Sequence, residues 1–254
     1  MSKTLAKNIL LPVLSVVGLI AIWHVAAYLL DVELILPTPR EALVSLGRIV
    51  VGEGFLDAVG STLYRGVIGF VIALLFAVLL SVASGLWHSV DRLVSPVIAI
   101  LRAVPTISII LISLVWMSSK TAPVLIGFLI IFPSMYSTIL TSIKGVDGGL
   151  VEMSRLYGVS RRDMLRGLYL PSVLPTLTDS AAAAVSLNVK VVIASEVLAQ
   201  TNESIGIAMQ QSKAFLDTPA LMAWTVVAVA MSFALEYLMR AIGNTVMRRC
   251  YGAN

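Results

Sequence analysis

Residues 152–171, with the sequence EMSRLYGVSRRDMLRGLYLP, form a polar and basic segment between two long apolar runs. The segment opens with Glu152, has a glycine six residues later at Gly158, and closes with the pair Leu170-Pro171. This order predicts a helix, a sharp turn at the glycine, a second short helix and a stop at the proline. An exposed bend of this kind is suited to contact with another protein.

The second helix of this segment carries its own start signal. Ser160 and Asp163 stand three residues apart, as in a capping pair, so the helix is expected to begin at the next residue, Arg161. Gly158 lies two residues before this cap, where a helix that ends in the left-handed conformation needs glycine. Three arginines should then face water or a partner, and three apolar residues should form the other side. The arginines are Arg161, Arg162 and Arg166, and the apolar residues are Met164, Leu165 and Leu168.

The composition of the whole chain requires a lipid environment. Of its 254 residues, 58% are hydrophobic and 13% are charged, and the mean hydropathy is +0.96. That leaves too little polar surface to cover a water-soluble globule. The net charge of +4 does not indicate nucleic-acid binding, because no basic patch interleaved with aromatic residues is present. The single cysteine, Cys250, excludes a disulfide within the chain.

Six apolar runs reach the roughly 20 residues that a helix needs to cross the hydrocarbon core. The chain is therefore predicted to be an all-α membrane protein, with one membrane domain over residues 1–254 and no internal repeat. The predicted spans are residues 9–30, 64–86, 97–117, 122–143, 172–199 and 219–240.

Lysine and arginine residues are distributed unequally between the two sides of these spans. With a cytoplasmic N-terminus, twelve of the 18 basic residues lie inside, five lie outside and Lys190 lies within a span. By the positive-inside rule, both termini and the loop at about 144–171 are expected in the cytoplasm.

On the outer side, residues 36–39 (LPTP) must be extended, and the apolar spacing from Arg40 predicts an amphipathic surface helix.

The segment 152–171 resembles the EAA loop of the inner-membrane permease subunits of binding-protein-dependent ABC importers. That loop has the pattern E-A-A, three residues, G, nine residues, I-x-L-P. Glu152, Gly158 and the pair Leu170-Pro171 match it at the family spacing, while Met153 and Ser154 stand where the family has alanines.

This resemblance implies the fold, location and partners of an ABC importer permease. It implies six transmembrane helices with a cytoplasmic coupling helix, in the plasma (inner) membrane of a prokaryote. The partners would be a dimer of ABC ATPase subunits, a second permease copy, an extracytoplasmic solute-binding protein and membrane lipid. The chain has no P-loop, so ATP and Mg²⁺ would be bound by the ATPase, and this chain would hold no cofactor or metal and catalyse no reaction. The residues implied in ATPase docking are Glu152, Ser154, Gly158, Ser160, Arg161, Arg162, Asp163, Leu165, Leu170 and Pro171.

Three further fragments resemble one subfamily of these permeases, which imports nitrate, sulfonates, taurine, thiamine precursors or riboflavin. They are residues 36–39 (LPTP), 102–105 (RAVP) and 194–198 (ASEVL). Relatives often carry Trp-Phe-Gly after the third span, where this chain has Trp116-Met117-Ser118. The substrate stays open among these compounds.

Polar residues inside the predicted spans are candidates for the translocation pathway, because a charge near a helix centre costs about 2.5–3.5 kcal/mol on insertion. Asp179 and Lys190 are about three helical turns apart, so they share a face of the fifth span with Ser186. Lys190 either lines the pathway and attracts an anionic solute, or snorkels outward or neutralises Glu196 or a neighbouring residue. Prolines within spans are expected to kink their helices. The pathway candidates are Lys190, Ser186, Asn188, Asp179, Glu196, Pro105 and Pro133.

Other interpretations remain open at this level. A secondary transporter should show an inverted repeat and broken helices in corresponding halves, and neither is evident. A membrane enzyme or assembly factor would act without an ATPase partner, although no Ser-His-Asp or paired-carboxylate set is present. The polar segment itself also has a simpler interpretation, as a connector whose arginines meet lipid headgroups.

Overall fold

The protein is helical throughout the part of the chain that the structure, a computed structural model, describes: residues 2–30 and 32–251. The side chains of Lys3, Lys7 and Cys250 lie outside the described part. The elements in chain order are α1 (Ser2–Leu30), α2 (Pro39–Val51), α3 (Phe55–Leu86), α4 (His88–Ala103), α5 (Thr106–Trp116), α6 (Ala122–Lys144), α7 (Gly148–Leu156), α8 (Arg161–Met164), a π-helical turn (Leu165–Tyr169), α9 (Leu170–Ala199), α10 (Ile205–Ala214) and α11 (Thr218–Tyr251).

Five helices of the described residues are long and apolar enough to cross a membrane, and a bent pair brings the number to six. The five are α1, α3, α6, the continuous helix of residues 161–199, and α11. The bent pair is α4 and α5, which meet at 100° where a single span over 97–117 was predicted. With 11 residues, α5 reaches only about 16 Å, roughly half of a 30 Å hydrocarbon core. Six spans are therefore reached only when α4 and α5 are counted as one, and the predicted third span is broken by a 100° bend.

The two predicted proline kinks have different outcomes. Pro105 lies in the break between α4 and α5, and not within a helix as predicted. The residue before it, Val104, is extended with φ −69° and ψ 128°, because a following proline excludes the helical region. Pro133 does lie inside a helix, α6, which continues on both sides of it.

The predicted helix stop at Leu170-Pro171 is wrong. From Arg161 the chain passes through the π-helical turn into α9 and ends at Ala199, so that 39 residues form one helical span. Pro171 follows the π-helical turn at the second position of α9, and the amide of Leu170 donates to the carbonyl of Leu165 across that turn. At 1.5 Å per residue this helix is about 58 Å long.

The core is formed by α3, α6 and α9, with α11 packed on α9. α3 and α6 run in the same direction, since Gly69 lies beside Val124 and Gly85 beside Ile143. A Cβ atom at Gly69 would lie 2.9 Å from the carbonyl oxygen of Val124, so only glycine permits this approach. α9 runs antiparallel to both, and its small residues Ala181 and Ala184 are buried against them. The bend that joins α6 to α9 therefore lies at one end of the bundle.

The predicted surface helix near Arg40 is present as α2. It begins with a capping box in which the Thr38 hydroxyl accepts from the Glu41 amide at 3.3 Å and the Glu41 carboxylate accepts from the Thr38 amide at 2.7 Å. α2 packs on α11. The indole of Trp23 in α1 donates to the carbonyl of Pro37 at 3.0 Å, which ties the first helix to this segment.

Candidate functional site

The bend, which we define as residues 147–164, consists of α7, a glycine turn and α8. Asp147 caps the start of α7. Gly158 has a φ of +69°, a left-handed conformation that residues with a Cβ rarely adopt. The Ser160 hydroxyl accepts from the amide of Asp163 at 3.2 Å and donates to its carboxylate at 2.6 Å. The turn at Gly158 and the start of the second helix, both predicted from sequence, are confirmed.

Apolar side chains of the bend face solvent, a feature that the sequence interpretation missed. Leu156 and Tyr157 are 82% and 81% exposed, and Leu150 and Met153 are also exposed. Their spacing of three residues places Leu150, Met153 and Leu156 near one another on α7. This spacing was the available sequence signal, and a clustered exposed apolar surface marks an interaction site.

Most of the predicted docking residues lie on the exposed surface of this bend. Ser154 is half-buried, and its hydroxyl donates to the carbonyl of Leu150 at 2.8 Å. Leu170 and Pro171 lie beyond the bend, half-buried in α9. The exposed ones are Glu152, Gly158, Ser160, Arg161, Arg162 and Asp163 in the bend, and Leu165 at the start of the π-helical turn.

Glu196 forms a buried ion pair at the opposite end of the bundle. Its carboxylate, with no exposed surface, accepts from Arg65 at 2.8 Å, from the Thr62 hydroxyl at 2.9 Å and from the Gly206 amide at 3.3 Å. The network joins α3, α9 and α10. The predicted alternative that Lys190 neutralises Glu196 is wrong, because Arg65 occupies that place. Arg65 is one of the five basic residues that were assigned to the outer side from the sequence; its position at the start of the predicted span 64–86 was the signal for a buried role.

Asn188 is a packing residue inside the protomer and does not line an open path. Its side chain has no exposed surface, and its amide donates to the carbonyl of Gly66 at 2.6 Å. Gly127 of α6 lies directly against the Asn188 amide group, where no Cβ would fit. Three helices therefore meet at this side chain.

Lys190 lies on the uncovered face of α9. Asp179, Ala183, Leu187 and Lys190 are all exposed on that face, as the predicted helical spacing requires, and Ser186 beside them is half-buried. Asp179 pairs with Arg240 of α11 at 3.0 Å. Lys190 forms no ion pair with any described residue, and a groove of about 230 Å³ between α6 and α9 opens on the same face.

Among the described residues, no group of three His, Cys, Asp or Glu side chains is placed to hold a metal ion.

Known proteins with similar sequences are transport permeases. The chain is 26% identical over 245 residues to the taurine transport system permease protein TauC of Escherichia coli K12, covering 94% of this chain and 89% of TauC. It is 28% identical over 208 residues to the putative aliphatic sulfonates transport permease protein SsuC of the same organism, covering 80% and 77%. Similarity to the formylaminopyrimidine transport permease protein ThiX of Halalkalibacterium halodurans is 26% over 218 residues, or 84% of each chain.

Solved structures share the fold. The inward-facing MetNI methionine ABC transporter matches with a TM-score of 0.60 at 20% identity, over 76% of this chain and 94% of that one. An amino acid ABC transporter crystallised with histidines matches with a TM-score of 0.58 at 16% identity, over 77% and 94%. The family model for the binding-protein-dependent transport system inner membrane component matches residues 69–249, most of the chain. The chain therefore belongs to that family and is the transmembrane permease subunit of an ABC importer.

Proposed function

We propose that the bend docks an ABC ATPase subunit on the cytoplasmic side, and that two permease copies form the pathway between an ATPase pair and an extracytoplasmic solute-binding protein. The observation that carries the proposal is the exposed apolar surface of Leu150, Met153, Leu156 and Tyr157. It lies on a capped bend with exposed arginines alongside. An apolar patch rimmed by charge is typical of a protein interface.

The helix that follows the bend supports a direct mechanical route into the membrane. Residues 161–199 form one helical span, so α8 in the docking surface and Lys190 on the open face belong to the same rod. When ATP draws the two ATPase subunits together, each bend moves with its subunit. The helical span of residues 161–199 then moves as one rigid element. The two permease copies alternate between inward- and outward-open states around the pathway.

Replacing Tyr157 by glutamate tests the docking surface. We expect loss of the ATPase from the tagged, purified transporter, because a charge replaces an aromatic anchor at the interface, a change that costs about 2 kcal/mol or more at hot spots. Phe215→Glu is the matched control, since Phe215 is 83% exposed at the opposite end of the bundle. Retention of the ATPase at the unmodified yield in Tyr157→Glu would contradict the proposal.

The solute that we propose is a small sulfonate anion. Two of the similar permeases are named for taurine and for aliphatic sulfonates. Lys190 is exposed three residues beyond Leu187, which lines the α6–α9 groove, and it pairs with no carboxylate of the described residues. Its ammonium gives the open face a positive charge, and such a charge raises the local concentration of an anionic solute.

Replacing Lys190 by methionine tests this role. Uptake of labelled taurine or an alkanesulfonate should fall about tenfold or more, because cationic clefts raise anion association by roughly 10- to 1,000-fold. Lys213→Met, at the exposed end of α10, should leave uptake unchanged. Adding Glu196→Gln to Lys190→Met should not restore uptake, because the partner of Glu196 is Arg65. Normal sulfonate uptake in Lys190→Met would exclude the pathway role.

The orientation follows from the basic residues and is tested by labelling. In a chain with Cys250→Ser, a cysteine at Glu53, exposed between α2 and α3, should react with an impermeant thiol reagent added to intact cells. A cysteine at Ser160 on the bend should react only after permeabilisation. The reverse pattern would place the bend outside the cytoplasm and refute ATPase docking there.

A further inference from the structure

A cleft of about 840 Å³ lies between α3 and α6, away from the open face of α9. On α3 its wall is a single stripe from Gly60 to Phe76, which at 1.5 Å per residue is about 24 Å long. On α6 and the turn before it, the wall runs from Lys120 to Phe128. Because α3 and α6 are parallel, both lining stripes begin at the end of the bundle opposite the bend and run side by side toward the bend.

The two ends of the cleft differ in chemistry. At the end opposite the bend, it is lined by Lys120, Thr121, Tyr64 and Ser61. Lys120 is exposed and forms no ion pair with any described residue. The charge of Arg65, which also borders the cleft, is already matched by Glu196. Within the described part of the chain, the ammonium of Lys120 is therefore the cation at the mouth that has no ion-pair partner.

Below the mouth the walls are apolar. Ile68, Ile72 and Phe76 face Val124 and Phe128, and the rings of Phe76 and Phe128 meet edge to face at a centroid distance of 5.8 Å. A small polar solute would lose its hydration here without gaining hydrogen bonds. A hydrocarbon chain would lose nothing, since it comes from an apolar medium.

We propose that this cleft binds an anionic phospholipid of the leaflet opposite the bend, with its phosphate at Lys120 and an acyl chain along α3. The length supports this occupant: about 24 Å is close to one leaflet with its headgroup layer, which is half of roughly 40–45 Å. The charge supports it too, because an ammonium near the membrane surface attracts an anionic lipid. The site is separate from the ATPase and sulfonate proposals, and neither is needed for it.

Native mass spectrometry of the assembled, delipidated transporter tests the proposal. The probes are phosphatidylglycerol and phosphatidylcholine with identical acyl chains. We expect phosphatidylglycerol to bind about fivefold more tightly, the ratio that one lysine near the surface provides. Lys120→Gln should abolish that preference and leave phosphatidylcholine binding unchanged.

Two variants of α3 distinguish lipid binding in the cleft from lipid contact elsewhere on the helix. Ile72→Trp fills the cleft and should weaken binding of both lipids, while Leu75→Trp, on an exposed face of α3 outside the cleft, should change neither. Equal binding of the two lipids, or an equal effect of the two tryptophans, would overturn the proposal. So would displacement of phosphatidylglycerol by a short alkanesulfonate, or a cysteine at Ile72 that cross-links two permease copies, because the cleft would then belong to the solute or to the second copy.

Discussion

Glu196→Ala is expected to prevent accumulation of a folded permease. The change removes the carboxylate that neutralises Arg65, a side chain that is only 11% exposed, and leaves the Thr62 hydroxyl and the Gly206 amide without this acceptor. Removing one partner of a buried ion pair costs about 3–5 kcal/mol. That is a large part of the roughly 5–15 kcal/mol that holds a typical protein folded. Detergent-extracted, fluorescently tagged protein should elute as aggregate in size-exclusion chromatography.

A second variant keeps this prediction specific. Replacing both charged residues, as in Arg65→Met with Glu196→Met, should recover part of the monodisperse peak, because an apolar pair leaves no buried charge unmatched. Glu53→Ala, at an exposed position, should behave as the unmodified chain. A normal elution profile for Glu196→Ala would mean that the pair does not hold α3, α9 and α10 together.

Gly158→Val is expected to abolish transport without preventing insertion of the helices. At φ +69° a residue with a Cβ is strained by about 1–2 kcal/mol, and a β-branched residue more so. The bend would relieve this strain by moving α7 relative to α8, which displaces Leu156 and Tyr157 from the docking geometry. In proteoliposomes, ATP hydrolysis should continue while uptake is lost.

Two matched variants test the cause. Gly158→Asn should retain coupled transport, because asparagine tolerates the left-handed conformation. Gly54→Val introduces the same backbone strain at φ +87° before α3, far from the bend, and should leave hydrolysis and uptake coupled. Coupled transport in Gly158→Val, or uncoupling in Gly54→Val, would contradict the assignment.

Local signals in the sequence were sufficient for the bend and for α2. The Ser160–Asp163 cap and the left-handed Gly158 depend on residues three positions apart or on one backbone angle, and the helical spacing from Arg40 predicted α2. Such features are determined by short-range sterics and hydrogen bonding. The same local reasoning failed at Pro171, because the π-helical turn before it lets the helix continue.

Contacts between distant helices could not be predicted in this way. Arg65 and Glu196 are 131 positions apart, and a single sequence does not say which helices face each other. Hydropathy alone also merged α4 and α5 into one run, since it records apolarity and not direction. Helical spacing placed Lys190 on one face with Asp179, as the structure has it. It could not show that Glu196 pairs with Arg65 of another helix and not with Lys190.

The most direct measurement for the whole account is site-specific photo-crosslinking from Tyr157 in native membranes, with sequencing of the captured chain. We expect a crosslinker at Tyr157 to capture a chain that carries a P-loop, and a crosslinker at Phe215, equally exposed at the other end of the bundle, not to capture it. Capture of the P-loop chain from Phe215 and not from Tyr157 would contradict ATPase docking at the bend.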